Sequence, residues 1–392
     1  MRKYKMDKVA LLKCDEYDLK KVEKTIRNGF ELLGGDSFLK KLIPYNSKIL
    51  LKPNMLSIEN EGSPVVTNSV VFEAVIRILR DYSSNISFGD SPGFGDSKRA
   101  AEKCGLLNIA KKYDIAFKDF KESINVSCDN SILCRSWTIA KAAYETDVLI
   151  TLPKLKTHAM AYFTGAVKNQ FGCIPGTLKA TWHTRMPNAN NFCKMLLDLN
   201  TLLETDFAIL DGIIAMEGNG PKSGSPYNLN TIIMGNSLTA VDSVAVKIIG
   251  YDNPLEIPVL KEAYDSNWGS VFLKDIEVLG EKIDSMAVND FKLCREGGDF
   301  YFINPKVTNF LKDIIAPDPT LIEEKCIGCS RCAEVCPEKP YVIDMIKKGD
   351  KKIPVWNMKK CIRCFCCQEL CPKGAIETKY SLIGRFLNRN GR

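Results

Sequence analysis

The sequence has no apolar stretch approaching the about 18 residues that a membrane-spanning helix needs, so any membrane contact would be peripheral. The segment from Met1 to Cys14 carries only Val9 to Leu12 as an apolar run, too short for a secretory signal. The expectation is a cytoplasmic protein whose thiols stay reduced. No long basic tract accompanies the mild excess of 54 Lys and Arg over 47 Asp and Glu, a net charge of +7. That balance disfavours nucleic acid and favours acidic small molecules or partners only weakly. A phosphate loop of the form G-x-x-x-x-G-K-S/T is missing, and Gly93 to Ser97 lacks the third glycine of a dinucleotide fingerprint. ATP and nicotinamide binding are therefore unsupported.

What remains is an ordinary globular composition, 45% hydrophobic and 26% charged over 392 residues, long enough for two or three domains or one large domain with a small one. Over residues 1–290 short β-branched runs alternate with amphipathic helical stretches, the pattern of an α/β domain around a largely parallel sheet. Strands are expected at Lys48 to Leu51, Ile86 to Gly89, Ile115 to Phe117, Asp147 to Leu152, Phe207 to Leu210, Thr231 to Met234 and Ile276 to Leu279. Helices are expected at Ser69 to Tyr82 and Asn191 to Leu203, where apolar residues recur with a 3.6 period. Three strands run directly into polar or Gly-rich segments, at Gly89 to Gly95, Pro153 to His158 and Asp211 to Pro221, and ligand crevices of open α/β sheets lie at such carboxyl ends. Residues 291–319 lose periodicity and read as a connector, leaving 320–392 as a small C-terminal domain with a short extension. In that extension, Ser381 to Arg392 reads as a packing helix or a docking arm.

Sixteen cysteines are present, and in a reducing compartment clustered cysteines read as metal ligands. Cys326, Cys329, Cys332, Cys336 and Pro337 spell C-x2-C-x2-C-x3-C-P, and Cys361, Cys364, Cys367, Cys371 and Pro372 spell it again. The two-residue spacings wrap one loop around three corners of a 4Fe-4S cubane, and the fourth ligand comes from the other repeat. One cluster is thus expected on Cys326, Cys329, Cys332 and Cys371, and a second on Cys361, Cys364, Cys367 and Cys336. Zinc is the alternative, but its sites usually use two separated pairs rather than a doubled run of four. The C-terminal region resembles the bacterial dicluster ferredoxins, an α+β fold. It departs from them where the first repeat reads Cys336-Pro-Glu-Lys-Pro-Tyr341 and in the extra Lys347 to Lys352 stretch, read as a solvated hairpin turn; Cys366, between two ligands, is a surplus thiol or else a ligand. Lys325, Arg331, Lys359, Lys360, Arg363 and Lys373 either raise the cluster potentials or form a solvated basic face.

The large domain carries, in order, Lys52-Pro53-Asn54, Gly89 to Gly93, Pro153 to His158, Gly165 to Gly172 and Glu217 to Pro221. With these motifs it resembles the domain of unknown function 362 family over about residues 8 to 250. The resemblance implies an iron-sulfur protein and adds architecture more than mechanism. From the residues themselves, Lys52, Lys154, Lys156, His158 and Lys168 are potential cations at strand ends, enough for a carboxylate or phosphate, or else scattered surface charges. We assign His158, Lys156 and Asp90 as candidate catalytic groups, and Lys52, Asn54, Lys154, Lys168 and Asn169 as candidate substrate-binding groups. Asp90, Asp211 and Glu217 could hold a divalent metal or act as acid or base, or be turn residues. Cys173 is a redox-active thiol or a buried one.

The resulting expectation is an iron-sulfur redox protein that moves electrons to or from a small anionic substrate or metal centre in the α/β domain, with a redox partner protein. Two alternatives stand beside it: a relay subunit docking a partner enzyme, and a non-redox metal-dependent enzyme with structural clusters.

Overall fold

The computed structural model describes residues 6–294, apart from 94, 177, 187 and 188, and residues 318–379, apart from 337, 339 and 341. Most of the connector and the segment from Ser381 to Arg392 lie outside the described residues. The large domain contains β1 (Asp7–Lys13), β2 (Ile49–Pro53), β3 (Ile86–Phe88), β4 (Ala116–Phe117), β5 (Ser123–Ser127), β6 (Ser136–Ala140), β7 (Val148–Leu152), β8 (Lys154–His158), β9 (Tyr162–Thr164), β10 (Phe207–Glu217), β11 (Ser225–Gly235) and β12 (Ile276–Gly280). Strands β5 and β6 form a separate hairpin, and the rest build one sheet in the order β12-β1-β11-β10-β7-β2-β3-β4, with β8 and β9 extending it beside β10.

Strands β10, β7, β2, β3 and β4 run parallel, while β11 is antiparallel to both β10 and β1. Strands β2 and β7 are buried along their whole length, as a parallel sheet covered on both faces requires. One face packs under the helices Leu19–Leu33 and Ser69–Leu79, through Val22, Ile26, Phe30, Phe72 and Val75. The other packs under Ala189–Leu203 and Leu238–Ile248, through Phe192, Leu196, Val241 and Val244. Two of these helices start at side-chain caps: Asp18 accepts from Lys21 N at 2.9 Å, and Asn68 accepts from Val70 N at 2.9 Å.

The structure corrects the expected map at several points. Strands β10 and β11 extend well beyond Phe207 to Leu210 and Thr231 to Met234, because their outer halves pair with each other as a long hairpin. Strand β1 was not expected. Pro153 to His158, expected as a polar loop, continues β7 into β8, whose five residues are all buried. The lysines there are polar in sequence but have interior partners, so the usual link between charge and exposure fails.

The C-terminal unit has β13 (Asp318–Leu321) antiparallel to β16 (Ile376–Lys379), and a hairpin of β14 (Ile343–Lys348) and β15 (Lys351–Trp356). Asp318 and Pro319, expected in the connector, belong to β13. The Lys347 to Lys352 stretch forms the hairpin tip, with Gly349 left-handed at φ 61°.

Candidate functional site

The two cysteine loops adopt one winding. Gly328 and Ser330 are left-handed, at φ 71° and 59°, and the matching positions of the second loop, Arg363 and Phe365, are left-handed at 55° and 58°. Left-handed backbone costs an L residue about 1–2 kcal/mol. Three non-glycine residues accept that cost here because the winding turns successive thiols inward. Each loop then enters a short helical turn, Arg331–Glu334 or Cys366–Glu369.

The result is two hollows. One is lined by Cys326, Cys329, Cys332 and Cys371, the other by Cys336, Cys361, Cys364 and Cys367. The fourth thiol of each comes from the opposite repeat. Burial and neighbouring thiols push Cys332 and Cys336 up to about 11, and burial pushes Cys367 well above the ordinary thiol value. Such crowded thiols become thiolates when cationic iron joins them, so the donor set fits a 4Fe-4S group. Ala375 N donates to Cys371 Sγ at 3.2 Å, a contact that would stabilise a thiolate. Cys366 lines neither hollow; it packs with Val335 and Leu370.

In the large domain, a hydrogen-bond chain crosses the carboxyl ends of the strands. Lys156 Nζ donates to Asn54 Oδ1 at 3.0 Å and to Val65 O at 2.7 Å. Asn54 Nδ2 donates to Asn169 Oδ1 at 3.0 Å, and Lys52 Nζ donates to the same oxygen at 3.1 Å. Lys52 is ion-paired with Asp90 at 2.8 Å, whose other oxygen accepts from Met55 N at 2.7 Å. Lys52 and Asn54 come from the end of β2, Lys156 from the middle of β8, Asp90 from the loop after β3, and Asn169 from the short helix Ala166–Asn169. Gly172 lies against the pair: a Cβ there would stand 1.9 Å from Asp90 Oδ1 and 2.6 Å from Lys52 Nζ.

Lys154 belongs to an adjoining cluster. Its amine donates to Asp211 Oδ2 at 2.8 Å and to Tyr17 Oη at 2.6 Å, while Tyr17 donates to Asp211 Oδ1 at 2.8 Å. Burial pulls the Lys154 amine down against the opposing pull of Asp211, and burial with Asp211 pushes the Tyr17 hydroxyl well up. His158 is fully buried in β8, its Nδ1 accepting from Met160 N and Ala161 N at 3.0 Å, which assigns the neutral ring's proton to Nε2. Lys168 places its ammonium 6.0 Å over the Phe192 ring. Glu217 accepts from Lys292 N at 2.8 Å. Among the described residues, no group of three or more His, Cys, Asp or Glu side chains is placed to hold a single metal ion. Cys173 is buried and pushed up to about 12, far from the range of a reactive thiolate.

The C-terminal unit abuts this network. Phe365, in the second ligand loop, is buried in the α/β core. Gln368 hydrogen-bonds Asn219, Leu370 packs on Gly93, and Gly374 on Ser223. Thus the second hollow lies beside the loops that follow β3 and β10.

A family model described as Domain of unknown function (DUF362) matches residues 49–247, about half of the chain. The chain belongs to this family. A second model, of a 4Fe-4S dicluster domain, matches residues 325–375, a span holding all eight hollow-lining thiols. A capacity for iron-sulfur electron transfer follows from that module. The Thylakoid-associated protein sll1697 of Synechocystis sp. is 34% identical over 253 residues, 64% of this chain and 77% of that one. Among solved structures, the lactate racemase apoprotein of Thermoanaerobacterium thermosaccharolyticum is 12% identical with a TM-score of 0.41 over 59% of this chain, and a Thermotoga maritima protein 10% identical with 0.36 over 53%. The chain spans about half the length of each, 54% and 53%.

The DUF362 span includes the Lys52, Asn54, Asp90, Lys156 and Asn169 chain but not Tyr17. Sequence reasoning missed three participants. Tyr17 sits outside the motifs. Lys179 is buried with its amine donating to Ile174 O at 2.6 Å, and burial pulls it down to about 7. Asp242 accepts from Ala166 N at 2.6 Å and Val167 N at 3.0 Å, so it fixes the start of the helix bearing Asn169. The signal for Asp242 was an Asp inside a largely apolar helical stretch, Ala240 to Val246.

Proposed function

We propose that the protein is a fused redox enzyme in which the ferredoxin module delivers or withdraws electrons at a small anionic substrate bound at the strand ends of the DUF362 domain. The observation that carries this reading is the insertion of Phe365 into the α/β core, which seats the second hollow against the strand-end loops. Cys326, Cys329, Cys332 and Cys371 would hold one 4Fe-4S cluster, and Cys361, Cys364, Cys367 and Cys336 a second. When bound, such clusters supply one-electron transfer.

The chain's own residues would provide the rest. Lys52 is paired with Asp90, and burial holds the nearby Lys179 amine down to about 7, so an arriving carboxylate or phosphate would favour that amine's protonated form. Asn54 and Asn169 orient the network, and Lys156 or His158 would move a proton. A divalent metal ion as the acceptor has no assembled donor set among the described residues.

Anaerobic purification with iron and sulfide quantitation, followed by a dithionite titration monitored by electron paramagnetic resonance with a panel of carboxylates and phosphates, tests the reading. The expected result is about eight irons per chain and reducible signals that at least one anion perturbs. Signals indifferent to every anion would move the function to a relay subunit, and redox-silent clusters to a non-redox enzyme.

A further inference from the structure

We infer that the outer end of the C-terminal unit is the docking face for a small acidic one-electron carrier protein. The inference rests on the electron-transfer reading above and names the partner of that module. The two hollows are not equivalent. The second is walled by Phe365, part of the α/β core, whereas the first is lined by the exposed Cys329 and by Ile327, which is 56% exposed. An electron from solution has its shortest route through the first.

The β14–β15 hairpin sets what surrounds that opening. In its register Ile343 faces Trp356, Met345 faces Pro354 and Lys347 faces Lys352, and directly opposed residues share one face. Ile343 and Trp356 line the second hollow, and Pro354 lines the first. The same face therefore runs outward past both hollows and ends in two exposed lysines, Lys347 and Lys352. The Lys352 backbone lies against Gly328, where a Cβ would stand 3.0 Å from Lys352 O, so the hairpin tip sits beside Ile327. Lys325, also exposed, precedes Cys326, and exposed Lys373 lines the first hollow.

None of these four lysines has an ion-pair partner among the described residues. Glu323 is engaged by Lys348 at 2.7 Å; exposed Glu324 and Asp350 stand next to Lys325 and at the hairpin tip, while exposed Asp344 lies on the hairpin's other face and exposed Glu334 in the helical turn after Cys332. Four amines against Glu324 and Asp350, around an apolar centre with an exposed ligand thiol, suit a partner with an acidic rim around its own redox centre. In the transfer, the reduced carrier loses one electron, a cluster gains one, and no bond forms or breaks.

The test uses the anaerobic iron-loaded full chain and a pre-reduced small acidic plant-type ferredoxin, with the second-order rate of cluster reduction followed by stopped flow. In the double variant Lys347→Glu, Lys352→Glu the rate is expected to fall about tenfold or more at low ionic strength. The unmodified protein's rate should fall with added salt, while dithionite reduction and the resonance signals stay unchanged. A rate indifferent to both salt and charge reversal would overturn the docking face and leave the electron-transfer reading intact. Retained carrier rates with lost sedimentation on anionic lipid vesicles would overturn it in favour of a membrane surface. Clusters that accept no electron from dithionite would sink both readings.

Discussion

Lys52 and Asp90 are each almost fully buried, and their value lies in being complete. Two charges withdrawn from water gain little net stability from each other, but one left without its partner in a low-dielectric interior is strongly destabilising. Lys52→Met should therefore cost about 3–5 kcal/mol in urea unfolding. The double change Lys52→Met with Asp90→Leu should cost less than the single one, since both charges leave together. A double loss equal to the sum of those of Lys52→Met and Asp90→Leu measured singly would show that the two side chains are not coupled. The close approach of Gly172 belongs to the same argument, because a methyl group there would meet both members of the pair.

At the scale of an element, the short helix Ala166–Asn169 is held by a carboxylate from elsewhere. Asp242 is buried, and despite its two backbone donors its carboxyl is pushed up to about 7 by desolvation. The folded state thus keeps a proton that the unfolded chain releases near the ordinary carboxyl value of 3.8. Stability from this group is fully present below that value and is lost as pH rises toward 7. Denaturant unfolding of the native protein and Asp242→Asn should diverge with pH, the native protein gaining relative stability between pH 7 and pH 5. A difference independent of pH would refute the assignment. The ligand loops were legible in the sequence because thiols on one cluster must crowd into short repeats. The strand carrying Lys154, Lys156 and His158 was not, because its charges find partners from residues as distant as Tyr17, Asn54 and Asp211. No spacing rule encodes those long-range contacts. Strands β7, β2 and β3 were readable as apolar runs, while their order, β1 and the long β10–β11 hairpin emerged only through pairing.

At the scale of the whole molecule, coupling between the two units rests on Phe365, which performs two tasks that can be separated. Its backbone is left-handed at φ 58°, as the ligand loop requires, and its ring is buried in the α/β core. Glycine would serve the winding better, since it adopts positive φ without the penalty of about 1–2 kcal/mol that a side chain incurs. An aromatic residue at this position is understandable if the ring's burial, about 1.5–3 kcal/mol, offsets the backbone cost. Phe365→Gly should accordingly keep the loop wound and the iron bound while releasing the module from the strand-end loops. Full iron content, faster proteolysis between the units and loss of any anion-induced change in the resonance signals are the expected outcomes. Loss of iron would instead make the ring part of the wall that retains the cluster. Retained iron with retained anion sensitivity would mean that the contacts of Gln368, Leu370 and Gly374 hold the units together without it.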